Sequence, residues 1–167
     1  MIVIVDTNVA IVANKKADHA SPECVVACIE RLEQLMDMDT LVLDDQWCIL
    51  REYMAYLRSE GQPGVGDRFL RWILLNRASE RVAHVHITPT DPTKTDFVEF
   101  PSNPELEKFN RSDRMFVAVT LAHPDHPPIL NAVDTDWAIF KQALANTGVR
   151  VESLCPADLD RLVSGTS

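Results

Sequence analysis

Five acidic residues stand where a carboxylate can do more than solvate a surface. Asp6 directly follows the apolar run Ile2-Val3-Ile4-Val5. Glu52 lies within the helical pattern Trp47, Ile49, Leu50, Tyr53, Met54, Leu57. Asp113 opens the apolar segment Met115-Phe116-Val117-Ala118-Val119. Asp134 and Asp136 follow Ile129-Leu130-Asn131-Ala132-Val133. Carboxylates gathered from such positions suit a hard cation, Mg²⁺ or Mn²⁺, which takes oxygen ligands and completes its shell with water or phosphate. A cation held that way lowers the pKa of water and offsets charge on phosphate oxygens, which is the chemistry of phosphodiester hydrolysis. Each acid also has a plain structural reading. Asp6 can cap the element after it, Glu52 can be a surface acid, and Asp113 suits the dipole of a helix start whatever its function.

The surrounding pattern supplies the elements that would position these acids. A short run of β-branched residues reads as a strand buried on both faces, and 2–5 is such a run. A loop or short helix follows over 7–15. Ser21-Pro22 starts a helix over 22–37, with Ser21 as cap and Pro22 in the first turn. Further on come a strand at 41–43, helices at 45–59 and 66–80, and an alternating strand at 83–87. Residues 88–111, with Pro89, Pro92, Pro101 and Pro104, read as an irregular, mobile or substrate-facing loop. A helix over 113–122, a strand over 129–133, a helix over 136–147, a strand over 149–151 and a short helix from Pro156 to Val163 complete the chain. Strands alternating with helices predict an α/β fold, a three-layer α/β/α sandwich on a mainly parallel sheet. In such folds ligands bind at the carboxyl ends of the strands, where Asp6 and Asp134 fall.

The order of these acids resembles that of the PIN-domain nucleases. The likeness rests on Val5-Asp6-Thr7-Asn8-Val9, on Arg51-Glu52-Tyr53, on Ser112-Asp113-Arg114-Met115-Phe116-Val117-Ala118-Val119, and on Asp134-Thr135-Asp136-Trp137, spanning roughly residues 1–140. It implies a PIN-like fold and a Mg²⁺- or Mn²⁺-dependent endoribonuclease leaving 5′-phosphate and 3′-hydroxyl ends. Asp6, Glu52, Asp113 and Asp134 would be the catalytic carboxylates and metal ligands, and Asp136 a further ligand or a neighbour of the site. Thr7, Asn8 and Arg114 are the candidates for contact with substrate. Capping accounts for Thr7 and Asn8 nearly as well, and Arg114 can instead pair with Asp113. The resemblance further implies RNA as substrate, an antitoxin protein as partner if the chain is a toxin, and a homodimer. The surplus length between Gly61 and Arg111 departs from the compact toxins of the family. Two alternatives stand beside this reading. One is a non-catalytic PIN-like scaffold for RNA or protein. The other is a haloacid-dehalogenase-like phosphatase, which wants a second Asp two residues after the first, where this chain has Asn8.

The remaining composition sets bounds. A chain of 167 residues with 46% hydrophobic content predicts one domain, 1–167, with a sizeable core. No apolar run reaches the roughly 18 residues of a membrane span, and Met1–Val5 lacks the flanks of a signal peptide, so a cytoplasmic protein without membrane contact is expected. Cys24, Cys28, Cys48 and Cys155 are accordingly read as buried free thiols, Cys24 and Cys28 lying one helical turn apart without a second close pair. The net charge of −9 argues against a general nucleic-acid binder, although cations cluster locally at Lys15-Lys16, Arg68 to Arg81, and Arg111 with Arg114. His84 and His86 would share a strand face and are read as structural. Neither a phosphate-loop nor a dinucleotide fingerprint is present.

Overall fold

Val3, Ile4 and Val5 have no exposed surface. The strand they form, β1 (Ile2–Val5), runs through the middle of a five-stranded sheet. This is a computed structural model describing residues 1–61 and 63–165. Of the domain expected over 1–167, Gln62 and residues 166–167 lie outside the described residues. The other strands are β2 (Thr40–Asp44), β3 (Val82–Val85), β4 (Ile129–Asn131) and β5 (Val151–Ser153). Their order is β3-β2-β1-β4-β5 and every pairing is parallel, so the sheet is wholly rather than mainly parallel. Val3 lies opposite Leu41, and Ile4 and Val5 lie opposite Ile129 and Leu130. The chain moves outward from β1 on one side and returns to β4 on the other. The carboxyl ends of β1 and β4 are therefore the switch point where doubly wound sheets open a crevice.

Among the described residues eight helices flank this sheet in an α/β/α sandwich: α1 (Thr7–Ala13), α2 (Pro22–Met38), α3 (Cys48–Tyr56), α4 (Val65–Asn76), α5 (Arg114–Ala122), α6 (Thr135–Ile139), α7 (Lys141–Ala145) and α8 (Pro156–Val163). In a parallel sheet the crossover helices run back against the strands, so their amino ends gather at the carboxyl edge. Ser21 caps α2 as expected, accepting from the Cys24 amide. Gly66 lets α4 lie against α1, since a Cβ there would stand 2.1 Å from the Ala10 carbonyl oxygen.

Several expectations are corrected. The single helix expected over 136–147 breaks at Phe140, whose ring packs edge-on against Phe109, so tertiary packing overrides local periodicity there. The last strand begins at Val151, not at 149. On α3 the buried face is Ile49, Leu50 and Tyr53, followed by Leu57, while Trp47 and Met54 are exposed. Residues 88–111 are not a bare loop. Pro89 bridges Phe97, 3₁₀ turns form at Pro104–Leu106 and Arg111–Asp113, and Phe97, Phe100 and Phe109 are buried. Cys24 and Cys155 are not free thiols. They form a disulfide across 131 positions that ties α2 to the start of α8, leaving Cys28 and Cys48 free. Asp158 reinforces that tie by accepting from the Ser21 amide and hydroxyl, each at 2.7 Å. Among the described residues no helix is long and apolar enough to cross a membrane.

Candidate metal centre

Where β1 stops, the backbone turns at once into α1 with Asp6 as its N-cap, the side chain accepting from the Asn8 amide at 2.9 Å. Its other oxygen accepts from the Trp137 indole N–H at 2.5 Å. Two donors thus fix both oxygens of a carboxylate that is 3% exposed. Beside it the Tyr53 hydroxyl donates to the Val5 carbonyl, pinning the end of β1 to α3.

Asp134 does the same work after β4. It caps α6, accepting from the Asp136 amide at 3.0 Å. Asn131, fully buried at the end of β4, donates to the Asp134 carbonyl and accepts from the Asp134 amide. Asn8 closes the gap between the strand ends. Its Nδ2 donates to Asn131 at 2.9 Å, and its Oδ1 accepts from the amides of Ala132 and Val133. Asp113 arrives from a third direction. It ends the 3₁₀ turn before α5, whose body packs on the sheet, and it makes no capping hydrogen bond. No side chain caps this helix. Asn110 caps the 3₁₀ turn instead, accepting from Ser112.

Asp6, Asp113 and Asp134 come together. Each offers one carboxylate oxygen, and the three oxygens lie within 4.8 Å of one another. Glu52, on the second turn of α3, borders this trio without belonging to it and accepts from the Thr7 hydroxyl. Asp136 also stays outside it, half-buried in the first turn of α6. Of the two acids after β4, Asp134 is therefore the one that the fold aims inward.

The electrostatics follow from this crowding. Burial, then the charges of Asp6, Asp134 and Glu52, push the Asp113 carboxyl up to about 9. Burial chiefly, with Asp6 and Asp134 adding to it against the Thr7 hydrogen bond, raises Glu52 to about 7. Burial and Asp6 raise Asp134 to about 6. Asp6 is raised by burial despite its donors. Opposite charge is thus what the cluster lacks. Asp113 Oδ2 is buried without any hydrogen-bond partner, in a protein where such atoms are rare. A divalent cation would satisfy that oxygen and neutralise the trio, so the donor set fits Mg²⁺ or Mn²⁺, both of which take carboxylate oxygens.

The residues read as substrate contacts are engaged otherwise. Thr7 is bonded to Glu52, and every polar group of the Asn8 side chain is used between β1 and β4. Arg114 is corrected outright. It pairs with Asp96 rather than Asp113, donates to the carbonyls of Glu107 and Phe109, and lies 4.3 Å over the Phe100 ring. It anchors the 88–111 segment from within. Trp137, Asn131 and Tyr53 were not read as parts of the site. Trp137 is fully buried in the core, and its indole also sets the orientation of Asp6. Comparison with family models, curated proteins and solved structures finds no match to this chain.

Proposed function

We propose that this protein is a metal-dependent endoribonuclease of the PIN kind, hydrolysing RNA phosphodiesters at the carboxylate cluster. The observation that carries the reading is the convergence of Asp6, Asp113 and Asp134 from three separate elements at the sheet's switch point, one of them with an orphaned buried oxygen. A bound Mg²⁺ or Mn²⁺ would polarise the scissile phosphate and make water acidic enough to deprotonate near neutral pH. The trio would hold the cation, with Trp137 and the Asn8 amide keeping Asp6 in its orientation. Glu52, tethered by Thr7 beside the trio, would accept the proton of the attacking water. The resemblance adds a toxin of a toxin–antitoxin pair, homodimeric, with an antitoxin covering the acidic cleft.

The test is cleavage of a mixed RNA pool with Mg²⁺ or Mn²⁺, alongside an EDTA control and the Asp6→Asn and Asp113→Asn variants. Either substitution should leave the circular dichroism spectrum unchanged and lower cutting by more than the roughly ten- to hundredfold that loss of a partner merely orienting a ligand costs. Cutting that survives EDTA, or proceeds equally in both variants, would remove the nuclease reading. Tight metal binding without cutting would leave a binding scaffold.

A further inference from the structure

Next to the carboxylates, a cleft of about 320 Å³ opens between α3, the start of α5 and the 92–95 segment. Glu52 forms its inner wall. The rest of its lining has the opposite character, with three cations, Arg51, Lys94 and Arg111, and three hydroxyls, Thr93, Thr95 and Ser112. Arg51 and Lys94 stand close enough to Cys48 to pull its thiol pKa down, although burial and Asp44 still hold it at about 11. Arg111 has one ion pair, to Asp96 at 3.5 Å, and its side chain is 60% exposed. A pair of that kind contributes little and yields readily to a better anion. In a chain of net charge −9 these cations gather beside a carboxylate cluster that would itself repel a polyanion.

The sheet order sets a direction. The acids lie over β1 and β4, Glu52 and the cleft come next, and Trp47 stands beyond, at the carboxyl ends of β2 and β3. Trp47 is 42% exposed, precedes Cys48 of the cleft lining, and meets the exposed His84 of β3 edge-on. Its backbone is left-handed, φ +62°, a conformation uncommon for so bulky a residue. Acids, cations and an open indole thus follow one another along a single edge.

We infer that this edge is a track for single-stranded RNA. The cleft clamps backbone phosphates through Arg51, Lys94 and Arg111, and Trp47 offers a face on which a base stacks. The inference rests on the ribonuclease reading and adds how the strand is held. Phosphate clamping beside an exposed ring is the usual solution for unpaired strands. A cleft at the small end of the ligand-site range admits a sugar–phosphate unit but not a duplex.

The test is fluorescence anisotropy with a labelled single-stranded RNA oligomer and its duplex, with Mg²⁺ present and in the Asp6→Asn background so that cutting does not interfere. Adding R51Q, K94Q and R111Q together should weaken single-strand binding at least tenfold and flatten the salt dependence by about two in logarithmic slope, at roughly 0.7 per phosphate contact. Trp47→Ala should weaken binding several-fold with the slope unchanged, since stacking releases no counterions. Arg77→Gln, away from the cleft, should change neither. With the acids intact, the triple variant should raise KM while keeping kcat. Binding equal to the parent's in the triple variant, no preference for single strand over duplex, or no binding by the parent would overturn the track. RNA binding with these signatures but without metal-dependent cutting would instead retain the track and remove the ribonuclease reading.

Discussion

Glu52→Gln should stabilise the metal-free protein, and only where the pH is high enough for Glu52 to ionise. The sign follows from the direction of the shift. Glu52 titrates at about 7 in the folded chain against an ordinary 4.5, so the folded state holds its proton longer than the unfolded state. Stability from this group is therefore complete below about pH 4.5 and is lost as the pH climbs through 7. The rise from 4.5 to about 7 corresponds to a ceiling of about 3 kcal/mol at pH 7, and about 2 once the partial solvent exposure of the side chain is allowed for. The substitution removes the charge and keeps an oxygen to accept from the Thr7 hydroxyl. It should thus recover most of that energy at pH 8 and almost none at pH 4.5. Urea denaturation of both proteins in EDTA across that range is the assay. A gain of the same size at both pH values would show that the effect is packing, and no gain at pH 8 would show that Glu52 is not under strain. Saturating Mn²⁺ should reverse the order, the parent gaining more than the variant, because the cation relieves a repulsion that the variant lacks.

Three further outcomes follow. Cation binding at pH 7 should expel about one to one and a half protons, since Asp113 and Glu52 titrate at about 9 and about 7 and must ionise to receive it. Calorimetry in buffers of differing ionisation enthalpy counts them, and a count of zero refutes the electrostatic picture. Trp137→Phe keeps the buried ring and deletes the donor to Asp6. Metal affinity should fall about ten- to a hundredfold, as when a partner that orients a ligand is lost, and unchanged affinity by Mn²⁺ titration would dismiss Trp137 from the site. Reducing the Cys24–Cys155 disulfide, which closes a loop of 131 residues, should lower stability by about 4–5 kcal/mol on the chain-entropy account. Equal urea midpoints with and without reductant would contradict this.

What the sequence made legible was what neighbouring residues decide. The apolar run 2–5, the Ser21-Pro22 helix start and the acids at strand ends depend on spacing over a few positions, and the structure has each of them. The trio Asp6, Asp113 and Asp134 was legible for the same reason, because a parallel sheet delivers every strand end and crossover-helix start to one edge. What escaped was set by partners far along the chain. The indole that orients Asp6 and the cysteine that pairs with Cys24 each lie 131 positions from their partners. No local pattern records such a pairing. Arg114 shows why a motif position does not define a role. Next to an aspartate it reads as a phosphate contact or a salt-bridge partner, yet the segment before it supplies Asp96, two carbonyls and the Phe100 ring, and together they turn the guanidinium inward. Residues 96–109 have thus drawn one cation into the protein. The same stretch of chain places Lys94 beside the acidic site, so on the proposed function this segment, rather than the acidic motifs, would set which strand is held.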